Sequence, residues 1–292
     1  MKKINKYILE HVTNSKFSIV ERLHINKDTG NHYYNYHPTS RTELRQLIYK
    51  LIKERGNDCD LNDIDTSDIT NMVELFYNYK FNGDISNWNV SNVTDMSAIF
   101  CESKFTGENG NISNWNVSNV ENMNYMFAYS SFKGDISNWD VSNVESMSSM
   151  FEESKFNGDL SHWLVSNVKR MDSMFLRSEF TGKNGDISEW DVSNVKNMDS
   201  MFYDSKFNGD ISKWDVSNVE DMNEMFYNSK FSGKNGDISK WDVSNVNNMK
   251  YMFCYSEFNV DISNWDVSNV KDMSFMFTNT PLEKNPPKWY KN

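Results

Sequence analysis

The sequence predicts an α/β solenoid of nine repeats, and three observations carry that expectation. Tryptophan stands in one register along the chain, at Trp88, Trp115, Trp139, Trp163, Trp190, Trp214, Trp241, Trp265 and Trp289, with steps of only 24 or 27 residues. Around each of the first eight lies one phrase, close to F-x-G-D-I-S-x-W-D-V-S-N-V-x-x-M-x-x-M-F. Within that phrase the apolar pattern changes from alternation to a three-and-four spacing, which predicts a short strand followed by a short helix. A unit of this size buries too little alone, so a fixed period implies stacked copies with a shared core.

Residues 1–58 stand outside the repeat and predict an N-terminal α+β cap. A short helix is expected over Ile4 to Val12. Phe17, Ile19, Glu21, Leu23 and Ile25 alternate as a half-buried strand would. The turn Asn26-Lys27-Asp28-Thr29-Gly30 then leads to a return strand over His32 to Tyr36. Ser40 and Glu43 form a capping box for a helix that puts Leu44, Leu47, Ile48, Leu51 and Ile52 on one stripe, and Gly56 stops it. That apolar stripe needs a surface to cover, and the open first repeat supplies one.

The repeats occupy residues 59–280. The first is cryptic: Asp60-Leu61-Asn62-Asp63-Ile64-Asp65-Thr66-Ser67 matches the phrase with Ile64 in the tryptophan slot, and Met72, Leu75 and Phe76 match its end. In the next repeat, Asp84 to Trp88 is expected as a strand about 4.8 Å from its neighbours. Val90-Ser91-Asn92 is the corner, and Val93, Met96, Ile99 and Phe100 are the buried stripe of a helix. The longer steps each come from a three-residue insertion with an Asn-Gly turn, at Phe105–Ile112, Phe180–Ile187 and Phe231–Ile238. Residues 281–292 keep Trp289 but contain Pro286 and Pro287, which cannot extend a ladder, so they read as a C-terminal cap that blunts the last edge.

Charge narrows the function. With 41 acidic and 30 basic residues the formal net charge is −11, which repels nucleic acid and anionic lipid. The cysteines, Cys59, Cys101 and Cys254, are too far apart in the stack to bridge and lack zinc spacing, so they read as free thiols. The opening residues are basic but lack an apolar core, so neither a signal peptide nor a membrane-spanning segment is expected. On that reading a cytoplasmic location stays open beside a surface or secreted one.

Two columns of acids recur. One runs Asp60, Asp84, Asp135, Asp159, Asp186, Asp210, Asp237, Asp261; the other runs Asp65, Asp140, Asp191, Asp215, Asp242, Asp266, interrupted by Leu164. Asparagine replaces the acid at positions 89, 111 and 116, so a turn role with Asx hydrogen bonds is favoured, with weak calcium binding as the alternative. A glycosidase needs two unlike carboxylates, and identical repeated acids argue against one. No nucleophile–base arrangement and no phosphate loop is evident, so no enzyme and no cofactor is expected. The invariant tryptophans read as packing, with an exposed ladder for sugar as the alternative.

The changing positions are the better guide to a protein partner. The residue before tryptophan varies, including His162, Glu189, Lys213 and Lys240, and the middle of the array turns basic at Lys169, Arg170 and Arg177. These seven are the candidate partner-binding residues. The expected function is a non-enzymatic protein-binding scaffold. The alternatives are a carbohydrate- or calcium-dependent surface module and a self-associating structural protein.

The phrases Asp135-Ile136-Ser137-Asn138-Trp139-Asp140-Val141-Ser142-Asn143-Val144 and Met147-Ser148-Ser149-Met150-Phe151 resemble the BspA-like leucine-rich-repeat family of bacterial surface proteins, in its mycoplasma-type DUF285 branch. The resemblance covers about residues 40–280. It implies a right-handed, leucine-rich-repeat-like coil and adhesin-like binding of host or neighbouring-cell molecules. It brings no catalytic residues.

Overall fold

The computed structural model describes residues 34–291. The helix expected at Ile4–Val12, the strand at Phe17–Ile25 and the start of the return strand lie outside the described residues. The described end of that return strand, residues 34–36, is not a strand: Tyr36 makes one isolated parallel bridge with Ile64.

One helix, α1 (Arg41–Arg55), is present among the described residues. It starts where expected: Ser40 is extended and its side chain accepts from the Glu43 backbone N–H. The Glu43 carboxylate reaches the Thr39 N–H at 2.9 Å, one residue earlier than a standard capping box places it. Gly56 ends the helix with φ of 92° while its N–H returns to the Ile52 carbonyl. Leu44, Leu47, Ile48 and Leu51 are buried and join the same apolar core as the repeats.

The repeats are not built from strands and helices, and this overturns the expected strand-plus-helix solenoid. The segment read as a strand, 84–88, is a turn: the Trp88 N–H returns to the Ile85 carbonyl at 3.2 Å. The segment read as a helix is a run of overlapping turns. Ile99 N–H bonds the Met96 carbonyl, Cys101 N–H the Ala98 carbonyl and Ser103 N–H the Phe100 carbonyl, at 3.1 to 3.2 Å. Between these, Ala98 and Glu102 take φ of 53° and 56°, which no α-helix contains. Among the described residues the bridges between repeats are isolated parallel ones, a line from Asn71 through Asp95, Asn122, Ser146, Arg170, Asn197, Asp221 and Asn248 to Asp272 and a further one from Asp60 to Asp84.

The physical reason lies in the spacing. M-x-x-M places apolar residues three apart, which is one step of a helix but also the span of one β-turn. A helix of two turns gains few internal bonds and is costly to nucleate. The stack offers a better solution. The N–H groups of Met96, Ala98, Phe100 and Glu102 cross to the carbonyls of Asn122, Asn124, Met126 and Ala128 in the next repeat, at 2.8 to 3.0 Å. The intervening N–H groups close the turns. Every backbone donor of Met96–Ser103 except that of Ser97, which bonds the Asp95 side chain, is satisfied by a backbone carbonyl.

Side-chain ladders reinforce the stack. Each of the eight tryptophans from Trp88 to Trp265 is buried and its Nε1–H donates to a carbonyl of the preceding repeat, as Trp214 does to Ile187 at 2.9 Å. Asn92, Asn119, Asn143, Asn167, Asn194, Asn218, Asn245 and Asn269 each donate Nδ2–H to the serine carbonyl one repeat back, within 2.6 to 2.8 Å. Phenylalanines form two adjoining columns, with Phe202 and Phe226 stacked at 5.7 Å and Phe226 and Phe231 at 4.2 Å. Methionines fill the space behind them, buried from Met72 to Met252 and partly buried at Met273.

The insertions fold back rather than projecting freely. Asn109, Asn184 and Asn235 donate Nδ2–H to the carbonyls of Asn82, Asn157 and Asn208. The glycine after each must pass close: a Cβ on Gly185 would lie 2.6 Å from the Leu160 nitrogen. At the far end Trp289 continues the tryptophan ladder, donating to the Ile262 carbonyl at 3.2 Å, and Tyr290 packs edge-on against Phe277.

Candidate binding surface

Turn geometry decides which residues point outward. In Met222–Ser229 the residues Met222, Met225, Phe226 and Ser229 are buried, while Asn223, Glu224, Tyr227 and Asn228 are not. Positive φ at Glu224 and Asn228, 52° and 49°, swings them to the outside. The same two positions take positive φ in every repeat, from Glu74 and Asn78 to Phe275 and Asn279. The stack therefore presents one continuous outer face made from the variable letters of M-x-x-M-F-x-x-S. Sequence reasoning missed this face, because it placed those letters on helices. The signal was there: these letters change from repeat to repeat between invariant neighbours.

The face is aromatic near the end of the array. Tyr203 stacks on Tyr227 at 4.7 Å, Tyr227 meets Tyr255 at 5.7 Å and Tyr251 at 6.2 Å, and Tyr251 stacks on Phe275 at 5.1 Å. Tyr255 and Phe275 are 51% and 47% exposed, large values for such side chains. Tyr125 and Tyr129 form a second exposed pair. Between the two groups the outer positions hold small residues with little exposure, with Ser148, Ser149 and Ser200 buried and Ser173 half-buried.

Cations and carboxylates sit among these rings. The Arg177 guanidinium lies 5.6 Å from the centre of the Tyr203 ring, and the Lys250 ammonium 5.2 Å from that of Tyr251. Arg177 also pairs with Glu153 at 3.0 Å and Asp204 at 3.4 Å. Asp199 accepts from Asn223 Nδ2 at 2.7 Å. Burial pushes the Asp199 carboxyl above its ordinary value, a hydrogen bond from Asn223 opposes this, and nearby Asp221 adds to it. Burial, then Asp199, raises Glu224 likewise.

The residues expected to bind a partner are exposed but do not form one patch. His162, Glu189, Lys213 and Lys240 occupy the column before tryptophan, where Lys213 pairs with Glu189. Lys169 pairs with Glu145 at 2.8 Å beside a polar groove of about 450 Å³ lined in part by Asn119, Glu121, Asn143 and Asn167. Arg170 pairs with Asp172 at 3.0 Å. Of the seven, Arg177 reaches the aromatic group.

The acidic columns are turn-forming. Asp84, Asp159 and Asp237 accept from the backbone N–H two residues on, at 2.8 to 2.9 Å, and Asp140, Asp215 and Asp266 do so at 3.0 to 3.1 Å. Asn89, Asn111 and Asn116 make the same bond, which explains why asparagine replaces the acid there. Hydrogen bonds from Ser161 hold the Asp159 carboxyl below its usual range. Among the described residues no group of three or more His, Cys, Asp or Glu could hold a metal ion. The tryptophan ring faces are turned into the core, which closes them to stacking on sugar.

Other titratable groups are local. His37 bridges Asp65 and Asp68, its two ring nitrogens 2.9 Å from each. Cys59, Cys101 and Cys254 are free, and burial pushes the thiols of Cys101 and Cys254 up to about 11, far from a reactive thiolate. Among the described residues no helix is long and apolar enough to cross a membrane.

Fold and surface together define a turn-built repeat protein, with an invariant stacked core and a variable outer face. The chain belongs to the family described as Mycoplasma protein of unknown function, DUF285, whose model matches residues 42–152, 101–206, 156–253 and 205–290. No curated protein and no solved structure matches it. The leucine-rich-repeat and BspA-like part of the expected resemblance is corrected by the architecture: the described repeats contain neither strand nor helix, and their core is Trp, Phe, Met, Val and Ile.

Proposed function

We propose that this protein is a non-enzymatic scaffold that binds a protein partner on its outer face. The observation that carries this is the joined group of Tyr203, Tyr227, Tyr251, Tyr255 and Phe275, half-buried at its centre and exposed at Tyr255 and Phe275, beside phenylalanine and tryptophan columns that are buried. Exposed apolar groups of this kind mark interaction surfaces, and tyrosine is enriched at the centre of such contacts. The stacked core supports the reading, because rigid backbones position surface residues without further ordering cost. Repetition of the core with change in the outer letters is how one scaffold carries a specific surface.

The test is cross-linking in native cells followed by mass spectrometry, comparing wild type with a Tyr203→Ser, Tyr227→Ser, Tyr255→Ser variant. These positions are surface ones, so the variant is expected to melt close to wild type. Cross-links are expected to map to the outer face and to disappear in the variant. Retention of the same cross-links by a folded variant rejects the reading. Protease treatment of intact cells reports in the same material whether partners should be sought outside the cell or within it.

A further inference from the structure

Three features of the outer face bear on the chemistry of its partner. The rings of the face accept cations: Arg177 lies over Tyr203 and Lys250 over Tyr251, within the distance at which the ring quadrupole attracts a positive charge. The carboxylates beside them are in excess. Over the last four repeats the outer positions carry Asp199, Asp204 and Glu224 against Lys250. Of these Asp204 pairs with Arg177, while no ion pair among the described residues involves Asp199 or Glu224, Lys250 acting on Glu224 only from a longer distance. The third feature is contiguity: Asp199 accepts from the side chain of Asn223, the neighbour of Glu224, in the two repeats whose Tyr203 and Tyr227 stack on each other. Rings and two acids outside any ion pair thus form one surface.

Resting on the protein-binding reading above, we propose that the outer face of the last four repeats binds a basic polypeptide segment, seating its lysine or arginine side chains against Tyr203, Tyr227 and Tyr251 beside Asp199 and Glu224.

An arriving ammonium or guanidinium satisfies both halves of the surface at once. It stacks on a ring, as the chain's own Arg177 and Lys250 already do, and it neutralises acids whose burial otherwise raises their affinity for protons. Neutral or acidic segments gain the ring contact only. Polyanions meet the same repulsion as they do on the rest of the surface.

Any polycation is attracted weakly to a chain of net charge −11, so the experiment separates site from field. The probe is a fluorescein-labelled peptide of alternating lysine and glycine, titrated with the full chain at physiological ionic strength and read by anisotropy. A glutamate–glycine peptide is the comparison. The Tyr227→Ala, Tyr251→Ala variant is expected to weaken lysine-peptide binding about tenfold, since two exposed cation–ring contacts together amount to roughly one decade. Glu224→Gln is expected to weaken it several-fold. The charge control is Asp140→Asn, Asp215→Asn. Asparagine already stands in that column at Asn89 and Asn116, so the turns survive, and the control is expected to bind like wild type. The proposal is overturned if the control loses as much affinity as Glu224→Gln, if the tyrosine variant binds unchanged, or if the glutamate peptide binds equally well. If the tyrosine variant keeps the peptide but loses its cellular cross-links, the basic-segment proposal fails while the scaffold reading stands. If it keeps both, both fail.

Discussion

Replacing Trp214 by phenylalanine tests how the stack is held together. The indole is almost fully buried, its Nε1–H donates to the Ile187 carbonyl at 2.9 Å, and its ring stacks on Trp190 at 6.4 Å and on Phe202 at 6.3 Å. Phenylalanine keeps an apolar ring but cannot donate. The Ile187 carbonyl still accepts from the Trp190 backbone N–H, so it is not orphaned and the lost bond costs only its net worth, about 1 kcal/mol. A void of roughly 40 Å³ at about 24 cal/mol per Å³ adds about 1 kcal/mol. Weaker stacking on two aromatic neighbours adds about 1 kcal/mol. The total is about 3 kcal/mol, a large share of the stability of an ordinary domain. Urea unfolding followed by the remaining tryptophan fluorescence measures it, with amide exchange across 190–226 reporting whether the loss is local, as nearest-neighbour coupling requires. Lys240→Ala is the comparison. It lies in the column before tryptophan and is exposed, so it should stay within about 0.5 kcal/mol of wild type. A loss at Trp214 no larger than that would refute the claim that the indole ladder ties one repeat to the next.

Other outcomes follow from the same geometry. Ser173 holds φ of 57°, so Ser173→Val should cost about 1–2 kcal/mol in thermal or urea unfolding, while Ser173→Gly should be nearly neutral. Asp159→Ala removes the acceptor for the Ser161 N–H at 2.8 Å and should cost about 0.5–1.5 kcal/mol, whereas Asp159→Asn should restore most of it. The Asp159 carboxyl is held below its ordinary value, so its contribution is complete above the unfolded-state pKa and is lost as pH falls through the lower folded-state value; Asp159→Asn should flatten stability against pH in that acid range. Asp199 has the opposite sign. Its folded-state value is raised, so the folded chain is relatively favoured at acid pH, and that advantage is lost as pH rises through the folded-state value; Asp199→Asn should raise the neutral-pH melting temperature and change little at acid pH. Millimolar calcium should leave the melting temperature within about a degree, because a ligand stabilises only in proportion to its binding of the folded state and the acids are already engaged in turns.

Period, repeat number and core membership were legible in the sequence. Trp88, Val93, Met96, Ile99 and Phe100 were assigned to the interior from the sequence pattern, and all are buried. Burial depends on which side chains are apolar and how often they recur, and both are written in the chain. Helix α1 was legible for the related reason that its cap, stripe and stop are local signals. The backbone path within each repeat was not. Met at i and i+3 suits a helix or a turn equally, and the choice depends on whether the N–H groups of Met96, Ala98 and Phe100 bond within the segment or across to Asn122, Asn124 and Met126. Those acceptors lie more than twenty residues away, so only the stack decides. The outer face followed from that decision. Positive φ at positions such as Glu224 and Tyr251 turns the variable letters outward and brings Tyr203, Tyr227, Tyr251 and Phe275, each from a different repeat, into one surface. The sequence by itself determined that the repeats stack and what they bury; only the tertiary structure decided how each is folded and what the stack displays, because both depend on hydrogen bonds between repeats rather than within them.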